Sequence, residues 1–343
     1  MSEIFLQTKT LFVNKDPLVS VIITSYNRGN FIDKAIQSSL NQDYANIEII
    51  VSDNCSTDNT PSVLEKYKED KRVKYYVNDT NIGMIPNFKL ATERTSGKYI
   101  TYLSSDDYFC NDKFISLAVD LINKHLNIVL VAAKNATLFE DLNEVVEDAT
   151  ADIFQHEFMK GSDLFQQFPK CFAPGWGAVL MDREKLMATR VFESKAQSLD
   201  YEANLKIMLQ GNVAFIKQPS YVWRKHSSQA SGTMNFETII NNFDFIENVY
   251  SFAKQINAPV DIENWRLQVY YAYLNGVSRR MINQKGSIVK VMNCAKAKSN
   301  IHIKLLKEPK YFILFTIYKN YETLGPLLKV IYPSLYRSIE KDK

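Results

Sequence analysis

Short apolar segments alternate with helical patterns along the first 135 residues, and this alternation restricts the fold more than any other feature of the chain. β-Branched or aromatic runs that predict strands occupy residues 18–23, 47–51, 73–77, 99–103 and 128–132. Between the first two runs, Ile32, Ile36 and Leu40 recur with the spacing of one helix face. Because strands that alternate with helices form βαβ units, the sequence predicts an α/β fold with a mostly parallel sheet and flanking helices.

The pattern changes beyond residue 135. Strand signals recur at 177–181, 213–216 and 221–223, with a helical signal over 199–210. From about residue 235 the strand signals stop and helical spacing dominates. We therefore expect an α/β domain over residues 1–234 and a helical C-terminal region over residues 235–343.

Composition excludes several classes of protein. Hydrophobic residues at 46% and charged residues at 23% are ordinary for a soluble globular chain of 343 residues. Residues 1–16 lack the apolar run of a signal peptide, and no stretch of about 18 apolar residues predicts a membrane-spanning helix. The four cysteines are scattered without a CxxC pair, which argues against a zinc site or a disulfide framework. We expect a cytoplasmic protein.

Positive charge is concentrated at the C-terminal end. Residues 279–343 carry 14 Lys and Arg against 4 Asp and Glu, so the net charge of +3 leaves −7 for residues 1–278. The aromatic-rich segment 311–318 is flanked by lysines, which favours an interfacial helix at the inner face of the cell membrane. Packing against the α/β domain or against a second subunit of an oligomer stays an alternative. Nucleic-acid binding is not expected, because the tail has few arginines and no recognition motif.

Two adjacent carboxylates, Asp106 and Asp107, directly follow the predicted strand 99–103 and its serines. Side chains at the carboxyl end of a strand in an α/β sheet project into the crevice where such folds bind ligands. A pair of acids there suits a divalent cation held against phosphate, because hard cations take oxygen ligands. Helix capping is the alternative role for the same two residues.

Polar turns also follow the first two predicted strands. After the first, Tyr26 can stack on a base, and Asn27 and Arg28 can donate hydrogen bonds to phosphate or sugar oxygens. After the second, Asp53 can accept a hydrogen bond from an N–H group of a pyrimidine ring. Each residue alone is a weak signal, because polar turns after strands are common.

Taken in order along the chain, five motifs resemble those of the inverting family 2 glycosyltransferases, which have the GT-A fold, a Rossmann-like and mostly parallel sheet. The motifs are VSVIITSYNR (19–28), DNCSTDNT (53–60), NIG (81–83), GKYI (97–100) and SSDD (104–107). The resemblance covers about residues 18–231. It is strongest to bacterial enzymes that build capsule, O-antigen or other surface polysaccharides.

The resemblance implies roles for particular residues. Those implied to bind the nucleotide sugar are Thr24, Tyr26, Asn27, Arg28, Asp53 and Asp106. The acids matching Asp106 and Asp107 hold Mn²⁺ or Mg²⁺ against the diphosphate, and we assign Asp107 and His226 to the metal. His226 lies in a segment, 223–231, that resembles the family motif Arg-x-His-x-x-Gln-x-Ser. Asp200 is the best match to the base that deprotonates the acceptor hydroxyl.

The sequence departs from the family pattern at three places. Ser104 stands where the first acid of the DxD motif is usual, which lowers the charge at the metal site. Leu199 replaces the Glu that often precedes the base, and Asn54-Cys55 stands where Asp-Gly is commoner. A charge at the amino end of a helix is the alternative role of Asp200. A solvated helix position is expected for Glu202.

The implied chemistry is one displacement at an anomeric carbon, with a cation that neutralises the leaving group and one carboxylate as base. The sequence therefore predicts a metal-dependent inverting glycosyltransferase that moves a sugar from a nucleotide-diphosphate sugar to a hydroxyl of a glycan or lipid-linked glycan. Trp176, in a loop expected to be exposed near the acceptor, would stack on a sugar ring or belong to the core. Two other functions stay open: a non-catalytic nucleotide- or sugar-binding relative, and a nucleotidyltransferase, for which an early Gly-rich phosphate loop is lacking.

Overall fold

The computed structural model describes residues 15–147, 152–169, 175–226, 239 and 241–280. The predicted domain boundary at residue 234 and the basic tail beyond residue 280, with its predicted membrane or subunit contact, lie outside these residues. None of the described helices is both long enough and apolar enough to cross a lipid bilayer.

Ten strands form one sheet within the described part of the chain. They are β1 (Val19–Ser25), β2 (Ile47–Asp53), β3 (Val73–Val77), β4 (Tyr99–Ser104), β5 (Tyr108–Phe109), β6 (Ile128–Phe139), β7 (Glu144–Glu147), β8 (Phe158–Lys160), β9 (Val179–Asp182) and β10 (Asn212–Lys225). β1, β2 and β4 are buried along nearly their whole length. Burial on both faces explains why these strands are continuous apolar runs rather than alternating patterns.

The sheet consists of two parallel blocks joined by one antiparallel strand. Its order is β3-β2-β1-β4-β9-β6-β10-β5, with β7 beside β6 and β8 beside β10. β1 to β4 are parallel to one another, β6 is parallel to β10, and β9 is antiparallel to both β4 and β6. The two blocks therefore point the same way. The carboxyl ends of β1, β2, β4, β6 and β10 lie at one edge, which we call the carboxyl edge.

Helices cover both faces of this sheet and confirm the predicted α/β architecture. They are α1 (Ile32–Leu40), α2 (Thr60–Leu64), α3 (Met84–Glu93), α4 (Phe114–Lys124), α5 (Gly161–Gln167), α6 (Arg183–Ala188), α7 (Leu199–Met208), α8 (Phe243–Gln255) and α9 (Ile262–Arg280). One hydrophobic cluster packs α1, α2 and α4 on the sheet. A second cluster contains apolar side chains of α3 and of α5 to α9.

The C-terminal helices α8 and α9 share this second cluster with the α/β part of the chain. Phe165 of α5 stacks on Trp265 of α9 with ring centroids 4.7 Å apart. Phe243, at the start of α8, stacks on Tyr270 of α9 at 5.5 Å. The helices predicted beyond residue 235 are thus present over the described residues, and they are packed onto the α/β part.

The two short strands predicted at 213–216 and 221–223 are one long strand, β10. Its pairing with β6 shifts register between Ile216 and Pro219 and again between Pro219 and Tyr221. Proline has no N–H group to donate to a neighbouring strand, so the sequence pattern is interrupted there although the chain remains extended.

Candidate active site

Two parallel pairings bring predicted site residues to the carboxyl edge. Ser25 of β1 lies opposite Asp53 of β2, and Thr24 lies opposite Ser104 of β4. Asp106 and Asp107 follow the end of β4, and His226 follows the end of β10. The structure therefore gathers residues from four separate sequence motifs at one end of the sheet.

Asp106 is the carboxylate that two basic side chains share. Its Oδ2 atom lies 3.2 Å from Nε of Arg28 and 3.2 Å from Nε2 of His226. The side chains of Asp106 and Arg28 are each 18% exposed, whereas that of His226 is 3% exposed and packs against Phe31 at 4.9 Å between ring centroids. Asp106 is therefore anchored from within the protein and still open to a ligand.

Asp107 points the other way, into the protein. Tyr221 of β10 donates its hydroxyl hydrogen to Oδ2, and the backbone N–H of Arg224 donates to Oδ1 at 2.7 Å. Burial, and second the neighbouring charge of Asp106, raise the pKa of Asp107 to about 7. Since both carboxylate oxygens accept hydrogen bonds from β10, Asp107 joins the end of β4 to β10.

The structure thus distinguishes two carboxylates that look equivalent in the sequence. The resemblance assigns Asp107 to the metal and Asp106 to the nucleotide sugar. The side chain next to His226 is that of Asp106, and Asp107 is occupied by hydrogen bonds within the protein.

Asp53 and Asn27 are linked through a serine that sequence reasoning did not single out. Asp53 is fully buried and accepts hydrogen bonds from both the backbone N–H, at 2.9 Å, and the hydroxyl of Ser56. The Ser56 hydroxyl oxygen in turn accepts from the backbone N–H of Asn27 at 2.7 Å, and Asn27 Oδ1 accepts from Thr57 N–H at 2.8 Å. These bonds fix the turns after β1 and β2 against each other.

The remaining residues of the first turn present side chains at different depths. Tyr26 is 44% exposed, so its ring is accessible for stacking, and Thr24 is partly buried. The backbone N–H of Arg28 donates to Oγ1 of Thr60 at 2.9 Å. The next backbone N–H, that of Gly29, donates to Oδ2 of Asp58 at 3.0 Å. The second polar turn therefore supports the first through backbone contacts.

Asp200 lies in the first turn of α7, and the direction of this helix relates it to the carboxyl edge. α7 packs against β6 and ends at Met208, a few residues before β10 begins. Gly211, in that short connection, lies against Asn127 and Val129 at the opposite, amino end of β6. A ten-residue helix is about 15 Å long, so its amino end points back toward the carboxyl edge.

The environment of Asp200 is suited to a proton acceptor. Burial raises its pKa to about 6, and the backbone N–H of Tyr201 donates to its Oδ1 at 2.9 Å. A carboxylate with a raised pKa is a better base than an exposed one and is still ionised at neutral pH. The role of Asp200 as the base stays a prediction.

Arg224 and Tyr221 are site residues that the sequence analysis missed. Besides its backbone bond to Asp107, Arg224 donates from Nε to the carbonyl oxygen of Asp106 at 2.8 Å. Its guanidinium carbon lies 5.1 Å from the centre of the Phe31 ring. Arg224 could have been found, because it is the Arg of the Arg-x-His motif that contains His226. Nothing in the sequence indicates a role for Tyr221.

The model of the family described as Glycosyl transferase family 2 matches residues 20–188. Residues 20–188 of this chain are a domain of that family. The matched segment runs from β1 to the end of α6 and contains Asp53, Asp106 and Asp107. Asp200 and His226 lie beyond it.

Several curated proteins are similar to parts of this family 2 chain. An uncharacterized glycosyltransferase of Haemophilus influenzae is 38% identical over 32% of the chain and 44% of its own length. A Campylobacter jejuni GalNAc(5)-diNAcBac-PP-undecaprenol beta-1,3-glucosyltransferase is 41% identical over 26% of the chain and 30% of its own length. An Escherichia coli chondroitin synthase is 26% identical over 63% of the chain and 30% of its own length. The chain thus spans less than half of each of these relatives.

The fold is similar to that of S. aureus TarS, whose residues 1–349 have been crystallised in complex with UDP-GlcNAc. The two structures superpose with a TM-score of 0.63 over 90% of this chain and 92% of that one, at 18% sequence identity. The similarity confirms the predicted GT-A fold.

The exposed indole predicted at position 176 is wrong, because Trp176 is a core residue. It is 8% exposed and stacks on Tyr102 of β4 with ring centroids 4.3 Å apart, while Phe88 of α3 meets it edge-on at 4.9 Å. The face of the indole that stacks on Tyr102 is not open to an acceptor sugar. The alternative that Trp176 belongs to the core is the one the structure supports.

The solvated position expected for Glu202 is also wrong. Glu202 is fully buried in α7, where one oxygen accepts from Nζ of Lys206 at 2.6 Å and the other from Nδ2 of Asn248 at 3.2 Å. The i, i+4 spacing of Glu202 and Lys206 predicts an ion pair on one helix face, but it gives no indication that the pair is buried. The pair is covered by α8, which lies 40 residues farther along the chain.

The donor atoms at Asp106 fit a divalent cation of the kind that the family uses. A cation bound to a diphosphate commonly takes one or two carboxylates from the protein and keeps phosphate oxygens and water as its other ligands. Asp106 provides one such carboxylate, 18% exposed, and Nε2 of the buried His226 imidazole lies 3.2 Å from it as a possible further ligand. Among the described residues no group of three or more His, Cys, Asp or Glu side chains could hold a metal ion by itself.

Proposed function

We propose that this protein is a metal-dependent, inverting glycosyltransferase. It moves a sugar from a nucleotide-diphosphate sugar to a hydroxyl of a glycan or lipid-linked glycan in bacterial surface-polysaccharide synthesis. The observation that carries the proposal is the Asp106 carboxylate, shared by Arg28 and His226 at the same sheet edge as Asp53. The chain spans only part of its relatives, so the activity of those proteins is evidence for the proposal rather than a description of this one.

Asp106 and His226 would hold Mn²⁺ or Mg²⁺ against the donor diphosphate, where the cation neutralises charge on the leaving group. Arg28 would bind the same phosphates, because a guanidinium suits phosphate oxygens. Asp107 keeps β10 and His226 in place through Tyr221 and Arg224. With the metal assigned to Asp106 and His226, Asp107 would be a positioning residue and not the metal ligand that the sequence predicts.

The nucleotide would lie along the turns after β1 and β2. Asp53 would accept from the ring N–H of a pyrimidine once the Ser56 side chain that is hydrogen-bonded to it moves aside. The exposed ring of Tyr26 would stack on the base, and Thr24 and Asn27 would border the sugar. The complex of TarS with UDP-GlcNAc supports a uridine nucleotide as the donor to try first. The PP-undecaprenol acceptor named for the Campylobacter relative supports a lipid-linked acceptor at the inner face of the cell membrane.

Asp200 would deprotonate the acceptor hydroxyl. One carboxylate on the face opposite the leaving group is enough for a single displacement, which inverts the configuration at the anomeric carbon. Its position at the amino end of α7 and its raised pKa support this role.

The proposal is tested by incubating the full-length protein with a panel of nucleotide sugars in the presence of Mn²⁺. Slow hydrolysis of one donor, suppressed when EDTA is added, is expected. Nucleotide binding without turnover of any donor would favour the non-catalytic alternative. Release of pyrophosphate from a nucleoside triphosphate and a sugar 1-phosphate would identify a nucleotidyltransferase.

The pH dependence of turnover provides a separate prediction. The base acts in its ionised form, and the pKa of Asp200 is raised from 3.8 to about 6. We therefore expect kcat/KM to be constant above about pH 7 and to fall about tenfold for each pH unit below about 6. Donor hydrolysis measured from pH 4.5 to 8.5 checks this. A profile that stays flat down to pH 5 would exclude a base with this pKa.

A further inference from the structure

Two asparagines of the C-terminal helical region hold the chain segment that carries Asp200. Asn242, the residue before α8, is 1% exposed. Its Oδ1 atom accepts hydrogen bonds from two consecutive backbone N–H groups, those of Gln197 at 2.8 Å and Ser198 at 3.0 Å. These groups belong to the two residues that lead into α7, immediately before Leu199 and Asp200.

The start of α7 is held by a residue of another chain segment and not by its own N-cap residue. Ser198 is the N-cap residue of α7, and its side chain makes no capping hydrogen bond. A Ser at this position usually accepts from a backbone N–H in the first turn and so fixes the start of its helix. Here the amide oxygen of Asn242 instead holds the two backbone N–H groups just before the first turn.

A second asparagine holds the chain on the other side of Asp200. Nδ2 of Asn248 in α8 donates to Oε2 of Glu202 at 3.2 Å and lies 3.2 Å from Oγ of Ser194. Glu202 is fixed in turn by the buried Lys206, whose Nζ also donates to the carbonyl oxygen of Thr189 at 3.1 Å. The segment from Ser194 to Glu202 is therefore tied to α8 at both of its ends, with Asp200 between the two attachment points.

We propose that Asn242 and Asn248 are positioning residues for catalysis. They act through Asp200, whose carboxylate must face the acceptor hydroxyl, and they need not touch substrate. The inference rests on the proposed function of Asp200 as the base. It assigns a catalytic requirement to the start of α8, which lies outside residues 20–188 matched by the family model. Since a displacement of about 1 Å can lower a rate about 100-fold, loss of either attachment should reduce turnover more than donor binding.

The test compares four variants of the full-length protein in the donor-hydrolysis assay at pH 8. Asn242→Ala removes the shared acceptor, and Asn242→Asp keeps an oxygen at the same place. Asn248→Ala removes the second attachment, and it tests the same positioning role if Asn242→Ala does not fold. Tyr270→Phe is the control, because it deletes a partly buried hydrogen bond, from the tyrosine hydroxyl to Glu247 at 2.7 Å, that joins α8 to α9 and not to α7.

We expect kcat to fall about 10- to 100-fold in Asn242→Ala and in Asn248→Ala, with the Kd for UDP in the presence of Mn²⁺ within about threefold of the wild-type value. Asn242→Asp should recover most of the lost kcat. Tyr270→Phe should lower Tm to a similar extent as Asn242→Ala and leave kcat unchanged.

Two results would overturn the positioning role without affecting the proposed function. One is an unchanged kcat in both alanine variants. The other is a loss of kcat in Tyr270→Phe as large as that in the alanine variants. Asp200→Asn, measured alongside, separates these outcomes from a failure of the proposed function. If Asp200→Asn keeps wild-type turnover, Asp200 is not the base and the positioning role falls with it. If Asp200→Asn is inactive while both alanine variants turn over normally, only the positioning role is wrong.

Discussion

Asp200→Asn is expected to lower turnover by a factor of about 10²–10⁴ and to change the affinity for the donor nucleotide by only a few fold. The substitution keeps the size of the side chain and removes its capacity to take a proton. Since Asp200 lies on α7 and not in the turns after β1 and β2, the nucleotide contacts proposed for those turns should remain. Donor hydrolysis and calorimetric titration with UDP measure the two effects separately.

A matched control tests whether Asp200 acts only as a favourable charge at the amino end of a helix. Asp163 occupies the first turn of α5 and is exposed, so Asp163→Asn removes a comparable charge from a comparable position. We expect this variant to keep wild-type turnover. A similar loss in both variants, or full activity in Asp200→Asn, would mean that the base lies elsewhere.

Asp106→Asn is expected to abolish the gain in UDP affinity that Mn²⁺ provides, whereas Asp107→Asn should keep part of this gain. Asp106 is the partly exposed carboxylate beside His226, and removing its charge leaves two basic side chains facing each other. Asp107 is buried against Tyr221 and Arg224, so its replacement changes the position of β10 and acts on the metal indirectly. The loss of metal-dependent affinity in Asp107→Asn should be about tenfold.

Calorimetric titration of UDP with and without Mn²⁺ measures this difference for each variant. Thermal unfolding of both variants shows whether either has lost its fold. The opposite order, with metal-dependent binding lost in Asp107→Asn and kept in Asp106→Asn, would restore the assignment of Asp107 as the metal ligand.

The first half of the fold could be predicted from the sequence because its strands are buried on both faces. Apolar runs such as those around Ile22 and Ile50 must then be continuous, and the helices between them show regular spacing. Asp53 and Asp106 could be found for a related reason, since polar residues that follow buried strands meet at one edge of a parallel sheet.

The roles of the remaining site residues depend on partners that are distant in sequence. Asp107 differs from Asp106 because Tyr221, 114 residues away, and the backbone N–H of Arg224 donate hydrogen bonds to it. Trp176 is buried because Tyr102 and Phe88 face it, and Glu202 because α8 covers it. None of these contacts leaves a local pattern, so composition and spacing around each residue give no indication of them.

The second hydrophobic cluster has a consequence for engineering hybrid enzymes from members of the family. Many of its aromatic residues come from α5, α8 and α9, as in the stacked pair of Phe165 and Trp265, so the two sides of this packing are matched to each other. A recombination point between α7 and α8 would combine surfaces that have diverged independently. Residues 161–280, which run from α5 to α9 and include β9 and β10, should therefore be transferred together as one block.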